Sequence, residues 1–326
     1  MTPRSSFTTS LLLLTTSQVW LLQTHARKFT VTNSCSFTIW SALYTDLNVG
    51  TAVPNQPTGW EAAPGSSVTF DVPDNWKAGR IWGRRDCDFS SGSSDPSTCL
   101  TGGCNGGLLC DNRTGTGVPP CSVAEWTLQG DGNRDFYDVS LVDGFDLPMS
   151  ITNNQNCPEA GCYTDLNPSC PDALKGPSNS SGATLGCKSS CQIDTNQADS
   201  PNCCSGSYST ADTCPSSGVA YYDYFKGNCP NSYAYAYDES SGTALFTCDS
   251  SLNADYTLVF CPSGSNSSTS SATSGSPSQT ASSGGASSSA SASNENSATN
   301  RAAAVADVLV HLLAGIAGLM FVGLAL

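Results

Sequence analysis

The chain has 326 residues, a formal net charge of −14 and 17 cysteines, all of them between Cys35 and Cys261. A protein this acidic repels nucleic acid and anionic lipid head groups, which excludes both as main partners. The two histidines, His25 and His311, lie outside the cysteine-bearing region, which excludes Ser-His-Asp and Cys-His catalysis and histidine metal sites from that region.

In chain order, Arg4 and the apolar run 11–22, followed by Thr24-His25-Ala26, read as a signal peptide over residues 1–26. Residues 28–32, 67–72 and 256–260 alternate apolar with polar side chains and are bounded by Gly, Pro, Asn and Asp. That pattern predicts short antiparallel strands of a sandwich or barrel. Cysteine density then changes sharply, from none over 36–86 to nine over 157–229. Residues 27–262 therefore read as a sheet-based domain with a loop-rich, disulfide-dependent lobe. Helix is expected only in that lobe, around 186–196 and 218–226. An odd number of cysteines leaves one thiol without an intramolecular partner. Cys203 and Cys204 are adjacent and should reach different partners. A Cys35–Cys261 bridge would tie the first strand to the last and stabilise the fold by about 5 kcal/mol on the chain-entropy model.

Beyond the domain, residues 263–300 are almost entirely Ser, Thr, Ala, Gly and Asn, a composition that cannot bury a core and reads as a disordered, O-glycosylated stalk. Asn112, Asn179 and Asn266 each open an Asn-x-Ser/Thr glycosylation acceptor. Over residues 301–326 the chain becomes apolar, with small residues Asn296-Ser297-Ala298 upstream and no basic residue after Leu326. This order fits a GPI-attachment signal, the alternative being a membrane helix. The expected address is extracellular, attached to the plasma membrane or cell wall, with membrane contact only through this anchor.

Over residues 27–262 there are 25 Asp and Glu against 11 Lys and Arg. Without histidine, acid–base work there falls to carboxylates. Paired carboxylates in an exported β protein suggest glycoside hydrolysis; the competing reading is a merely solvated acidic surface.

Several motifs together resemble the thaumatin-like (osmotin-like) family. They are Gly79-Arg80-Ile81-Trp82-Gly83-Arg84, Cys99-Leu100-Thr101-Gly102-Gly103-Cys104, Ala124-Glu125-Trp126-Thr127-Leu128 and Asp135-Phe136-Tyr137-Asp138-Val139-Ser140-Leu141-Val142-Asp143-Gly144-Phe145-Asp146-Leu147-Pro148-Met149. Cys203-Cys204 and Val259-Phe260-Cys261-Pro262 follow. The resemblance implies a mainly β fold, a two-sheet antiparallel sandwich with a disulfide-rich loop and helix lobe. It also implies eight disulfides: Cys35–Cys261, Cys87–Cys99, Cys104–Cys110, Cys157–Cys248, Cys162–Cys229, Cys170–Cys187, Cys191–Cys203 and Cys204–Cys214. Cys121 is then left as a free or intermolecular thiol, which alkylation without reduction should label. The family further implies an acidic cleft of Arg80, Glu125, Asp138, Asp143 and a last acid at Asp238 or its neighbour Glu239. In this reading Glu125 donates a proton to a glycosidic oxygen, and Asp143 stabilises the oxocarbenium-like state or activates water. Arg80 tunes both, and Tyr137, Phe145, Tyr233 and Tyr235 are candidates for stacking on sugar rings. Two structural alternatives are an Arg80–Asp138 ion pair and an Asp143 cap on the Gly144 turn. The implied ligand is β-1,3-glucan or another cell-wall polysaccharide, bound by a monomeric head without metal or cofactor. Some family members show weak endo-β-1,3-glucanase activity and others only binding or antifungal action. A third role is inhibition of secreted carbohydrate-active enzymes through a disulfide-braced loop. The chain departs from the family at Gly103, which replaces the usual Asp before the cysteine, at Asp95-Pro96, and in its long stalk and tail.

Overall fold

The computed structural model describes residues 26–263. All of the expected signal peptide 1–26 except Ala26, which opens β1, nearly all of the expected stalk 263–300, Asn266 and residues 301–326 lie outside the described residues. Twelve strands form two sheets: β1 Ala26–Asn33, β2 Ile39–Thr45, β3 Gly59–Ala62, β4 Ser67–Pro73, β5 Gly79–Cys87, β6 Cys99–Thr101, β7 Val123–Gly130, β8 Arg134–Ser140, β9 Met149–Asn153, β10 Ala160–Cys162, β11 Phe246–Asp249 and β12 Tyr256–Phe260. The first sheet runs β10-β9-β12-β1-β4; the second runs β11-β8-β7-β5-β2-β3, with β6 paired to β5. All three strands expected from alternation are present.

The period-2 pattern explains how the sheets face each other. In β1, Phe29 and Val31 turn inward, while Thr30 and Thr32 face Thr69 and Ser67 of β4 on the outside. Ile81, Trp126, Tyr137, Val139 and Ile151 meet them from the other strands, all at most 2% exposed. Phe29 is the hub, with ring centroids 5.6 Å from Trp76, 5.1 Å from Trp126 and 5.3 Å from Tyr256. Burying each such aromatic contributes roughly 1.5–3 kcal/mol.

One pairing departs from the antiparallel expectation. β1 and β12 lie parallel, in register from Phe29 opposite Tyr256 to Asn33 opposite Phe260. No hairpin can join parallel neighbours, and here the whole domain is the crossover between them. Cys35–Cys261 closes that long loop.

Beneath the first strand sits a buried ionic cluster that alternation alone does not suggest. Arg27 is 1% exposed. It donates to Asp74 and Asp135, both at 2.7 Å, and to the carbonyls of Ala254 and Ser250. Asp135 also accepts from Ser250 Oγ, the Tyr256 hydroxyl and the Gln129 N–H. A buried charge persists when its bonding capacity is filled in this way.

All eight expected disulfides form. Five of them brace the lobe between Cys157 and Cys248. Cys203 and Cys204 reach Cys191 and Cys214 respectively. Cys121 is free and 1% exposed, which corrects two expectations: it cannot reach a second molecule, and it is shielded from alkylation while folded. Burial pushes its thiol well above the ordinary value, with Asp143 and Asp146 adding to the effect.

The lobe is less helical than the sequence suggests. Over 186–196 only α1 Ser190–Ile193 forms, and α2 spans Tyr222–Asn228, shifted beyond 218–226. Asn112 is exposed. Asn179 is half-buried, its side-chain oxygen accepting from Ser181 N, Ser181 Oγ and Ala183 N.

Candidate functional site

The second sheet has one face on the core and the other toward the lobe. On that second face, strand register sets a transverse row. Tyr44 of β2 lies opposite Arg80 of β5, Arg80 opposite Glu125 of β7, and Glu125 opposite Asp138 of β8. Directly opposed residues share a face with Cβ atoms about 4.5–5.5 Å apart. Their chain neighbours Ile81, Ala124, Trp126, Tyr137 and Val139 point the other way into the core. Four residues far apart in the chain are thereby brought into line.

Arg80 organises the row. Its Nε donates to Glu125 Oε1 at 2.8 Å, and its Nη1 lies 3.7 Å from Asp143 Oδ2. Burial alone would lower the guanidinium, but Glu125 and Asp143 hold it above its ordinary value. Asp143 comes from the turn after β8. Gly144 closes that turn at φ +84°, where an added Cβ would lie 2.7 Å from the Cys187 carbonyl oxygen and 2.8 Å from Gln192 Oε1. Glycine adopts this left-handed backbone without a steric penalty. The Cys121 N–H donates to the Asp143 carbonyl at 2.9 Å and fixes the turn against the start of β7. Burial raises the Asp143 carboxyl, Arg80 opposes the rise and Glu125 adds to it. Neither structural alternative describes these residues: Arg80 bonds Glu125 and Asp143 rather than Asp138, and the Asp143 side chain faces Arg80.

Asp138 differs from its neighbours. It is 8% exposed, and its Oδ1 is buried with no hydrogen-bond donor. Burial raises its carboxyl well above the ordinary range; Glu125 adds to this, Arg80 opposes it, and Glu239 adds further. A carboxylate could not keep an oxygen buried and bare at low cost, so the neutral acid is the favoured form. Glu125 is engaged instead by the Arg80 guanidinium.

The lobe supplies Glu239, not Asp238, to this neighbourhood. Asp238 is 0% exposed and spent within the lobe. Its carboxylate pairs with Lys226 Nζ at 2.9 Å and accepts from the Tyr222 hydroxyl and the Ala234 N–H. Consecutive residues of the 3-10 turn Asp238–Ser241 point in different directions. Glu239 accepts from the Tyr233 hydroxyl at 3.2 Å. Its carboxyl is raised by burial, while its own backbone N–H and that hydroxyl pull it down and Asp238 adds to the rise. Tyr233 is anchored beside β8, its N–H donating to Val139 O and its carbonyl accepting from the Leu141 N–H.

None of the four aromatics considered for stacking is available. Tyr137 and Phe145 are 0% exposed, and Tyr233 and Tyr235 4%. They are packing residues; the Tyr137 hydroxyl donates to the Pro158 carbonyl inside the fold.

The motif reading passed over Asp146. Fully buried, it accepts from Ser122 N at 3.0 Å and from the Thr101 hydroxyl at 2.7 Å. Burial pushes its carboxyl up to about 7, against the pull of these two donors. No local signal marks an Asp in a mainly apolar run as the junction of three loops. Among the described residues, no cluster of three or more His, Cys, Asp or Glu is placed to hold a metal ion.

The family profile described as "Thaumatin family" matches residues 33–262. Pathogenesis-related thaumatin-like protein 3.5 of Cryptomeria japonica is 42% identical over 241 residues, 73% of this chain and 91% of its own. Pathogenesis-related protein 5 of Arabidopsis thaliana is 40% identical over 245 residues, again 73% and 91%. Among solved structures, a thaumatin-like xylanase inhibitor is 21% identical over 72% of this chain and 99% of its own, with a TM-score of 0.36. With the profile spanning both sheets and the lobe, and relatives matched over nearly their full length, the chain belongs to the thaumatin family.

Proposed function

We propose that this is an extracellular, defence-related protein that binds β-1,3-glucan in the groove between the second sheet and the lobe. One observation carries the reading: Arg80, Glu125 and Asp138 stand in a single cross-strand row with Asp143 beside them. A neutral polysaccharide offers hydroxyl donors to these oxygens and acceptors to Arg80, without the repulsion an anionic polymer would meet. The "pathogenesis-related" names of its relatives support the defence setting, and eight disulfides suit an oxidising exterior. Sedimentation with insoluble β-1,3-glucan tests the reading. Binding should fall at least tenfold in Glu125→Gln/Asp143→Asn; full retention by a folded double variant would refute it.

A second reading, weak endo-β-1,3-glucan hydrolysis, is favoured by the bare oxygen of Asp138. There the neutral Asp138 gives its proton to the glycosidic oxygen. Asp143 stabilises the positive charge developing on the sugar or activates water, and Arg80 orients Glu125 and Asp143. Reducing-end release from linear β-1,3-glucan should vanish in Asp138→Asn while binding persists. Unchanged release would remove Asp138 from the mechanism.

The head is tethered near a wall by the stalk and a GPI anchor, which suits action on polysaccharide close to the cell. The apolar C-terminal run and its upstream small-residue triplet support this. Release by a phosphatidylinositol-specific phospholipase is expected; retention would favour a membrane helix.

A further inference from the structure

The lobe carries a concavity around the start of α2. An open cavity of about 460 Å³ is walled by Ser216, Ser217, Val219, Tyr221, Tyr222 and Asp223. Small-ligand sites have this size and mixture, an aromatic wall with a few polar groups. Tyr221 is 38% exposed, and Ser217 and Asp223 are open to solvent. The set is suited to a sugar: an apolar ring face for its C–H groups, hydroxyls, and a carboxylate to accept from adjacent hydroxyls.

The backbone points the same way. Tyr221 is left-handed, at φ 58° and ψ 13°, a conformation glycine adopts freely and a bulky residue rarely does. Its surroundings impose it. Asn202 Oδ1 accepts the Ala220 N–H at 2.8 Å, the Ser190 hydroxyl donates to the Ala220 carbonyl, and the Tyr221 carbonyl accepts from the N–H groups of Tyr224 and Phe225. Glycine would relax this position, yet a tyrosine that lines the cavity stands there. Strain of this kind is a mark of functional positions.

We propose that this cavity is a second saccharide subsite, in which a neutral hexose stacks on Tyr221 and its hydroxyls bond Asp223, Ser216 and Ser217. It is coupled to the acidic groove through the Tyr222 hydroxyl, which donates to Asp238, whose chain neighbour Glu239 borders the row. The inference rests on the glucan-binding reading and extends it: a polymer engaging both places gains avidity that a short oligosaccharide does not.

The test uses the full secreted protein, long β-1,3-glucan and short β-1,3-gluco-oligosaccharides, with variants Tyr221→Gly, Asp223→Asn and Glu125→Gln/Asp143→Asn. Tyr221→Gly removes the ring and the strain together, so its melting temperature should equal or exceed that of the parent. Its affinity for long glucan should fall about tenfold, with short-oligosaccharide binding in the groove unchanged. Asp223→Asn, at an exposed position, should weaken long-glucan binding in the same direction and carries the test should Tyr221→Gly fold poorly. Parent-like binding of long glucan by both variants overturns the subsite while leaving the groove reading intact. Long-glucan binding unaffected in Glu125→Gln/Asp143→Asn but lost in Tyr221→Gly would instead overturn the groove reading and keep the subsite. Binding of a tyrosine- or proline-rich peptide at Tyr221 with no response to saccharide also overturns it.

Discussion

Asp146 should make this fold more stable in acid than at neutral pH, and Asp146→Asn should largely abolish the contribution. The carboxyl is fully buried, and its folded-state value near 7 stands well above the ordinary 3.8. An acid whose value is raised on folding binds its proton more tightly in the native state. Its contribution is therefore complete below about pH 4, falls as pH rises toward 7, and levels off above. At about 1.4 kcal/mol for each tenfold change in proton affinity, the gap corresponds to an order-of-magnitude loss of about 4 kcal/mol. Asparagine imitates the neutral acid: its oxygen can accept from Ser122 N, now at 3.0 Å, and its amide can donate to the Thr101 hydroxyl, now at 2.7 Å. Guanidinium denaturation with disulfides intact, repeated from pH 4 to pH 8, reads the effect directly. The variant should match the parent at pH 4 and exceed it by about 4 kcal/mol at pH 8. Asp138, Asp143 and Glu239 are shifted in the same direction, so both proteins keep a residual slope and the difference isolates Asp146. A variant less stable than the parent at every pH, or with an unchanged slope, would refute the reasoning.

Arg27→Met should cost about 3–5 kcal/mol, read from denaturant midpoints, because Asp135 would stay buried without its cation; a loss below 1 kcal/mol would show that the cluster rearranges. Cys121 should resist alkylation in the folded, unreduced protein and take up one equivalent only in denaturant, with mass spectrometry reading both states; rapid labelling without denaturant would contradict its burial. Gly144→Ala should destabilise by about 1–3 kcal/mol and weaken glucan binding together, since the added methyl meets the Cys187 carbonyl and shifts Asp143; retention of both would show that the turn yields.

Much of the scaffold was legible because period-2 alternation and cysteine density are local. Residues 28–32, 67–72 and 256–260 read as strands without any partner in view. The disulfide pairing came from resemblance to a family, since spacing alone leaves many connectivities open. The site was legible only as a set of names: the motifs marked Arg80, Glu125, Asp138 and Asp143, but their roles follow from contacts that motifs do not encode. Glu125 is held in an ion pair with Arg80, and Asp238 pairs with Lys226 while its neighbour Glu239 is the acid whose charge reaches Asp138. Tyr137, Phe145, Tyr233 and Tyr235 proved to be packing residues, since an aromatic reads the same in a core as on a binding surface. The short helices fell below what apolar spacing suggested because five disulfides, rather than helical packing, brace the lobe.

What the amino-acid order alone determined is chemistry: a cysteine-rich β domain without histidine, in which acid–base work falls to carboxylates. Only the tertiary structure decided which carboxylates meet, which of them keeps a buried oxygen without a hydrogen-bond partner, and that the first and last strands run parallel. The reason is that register across β5, β7 and β8 aligns residues up to 58 positions apart in the chain, and burial then sets their charge. Neither register nor burial is a property of any stretch of sequence taken by itself.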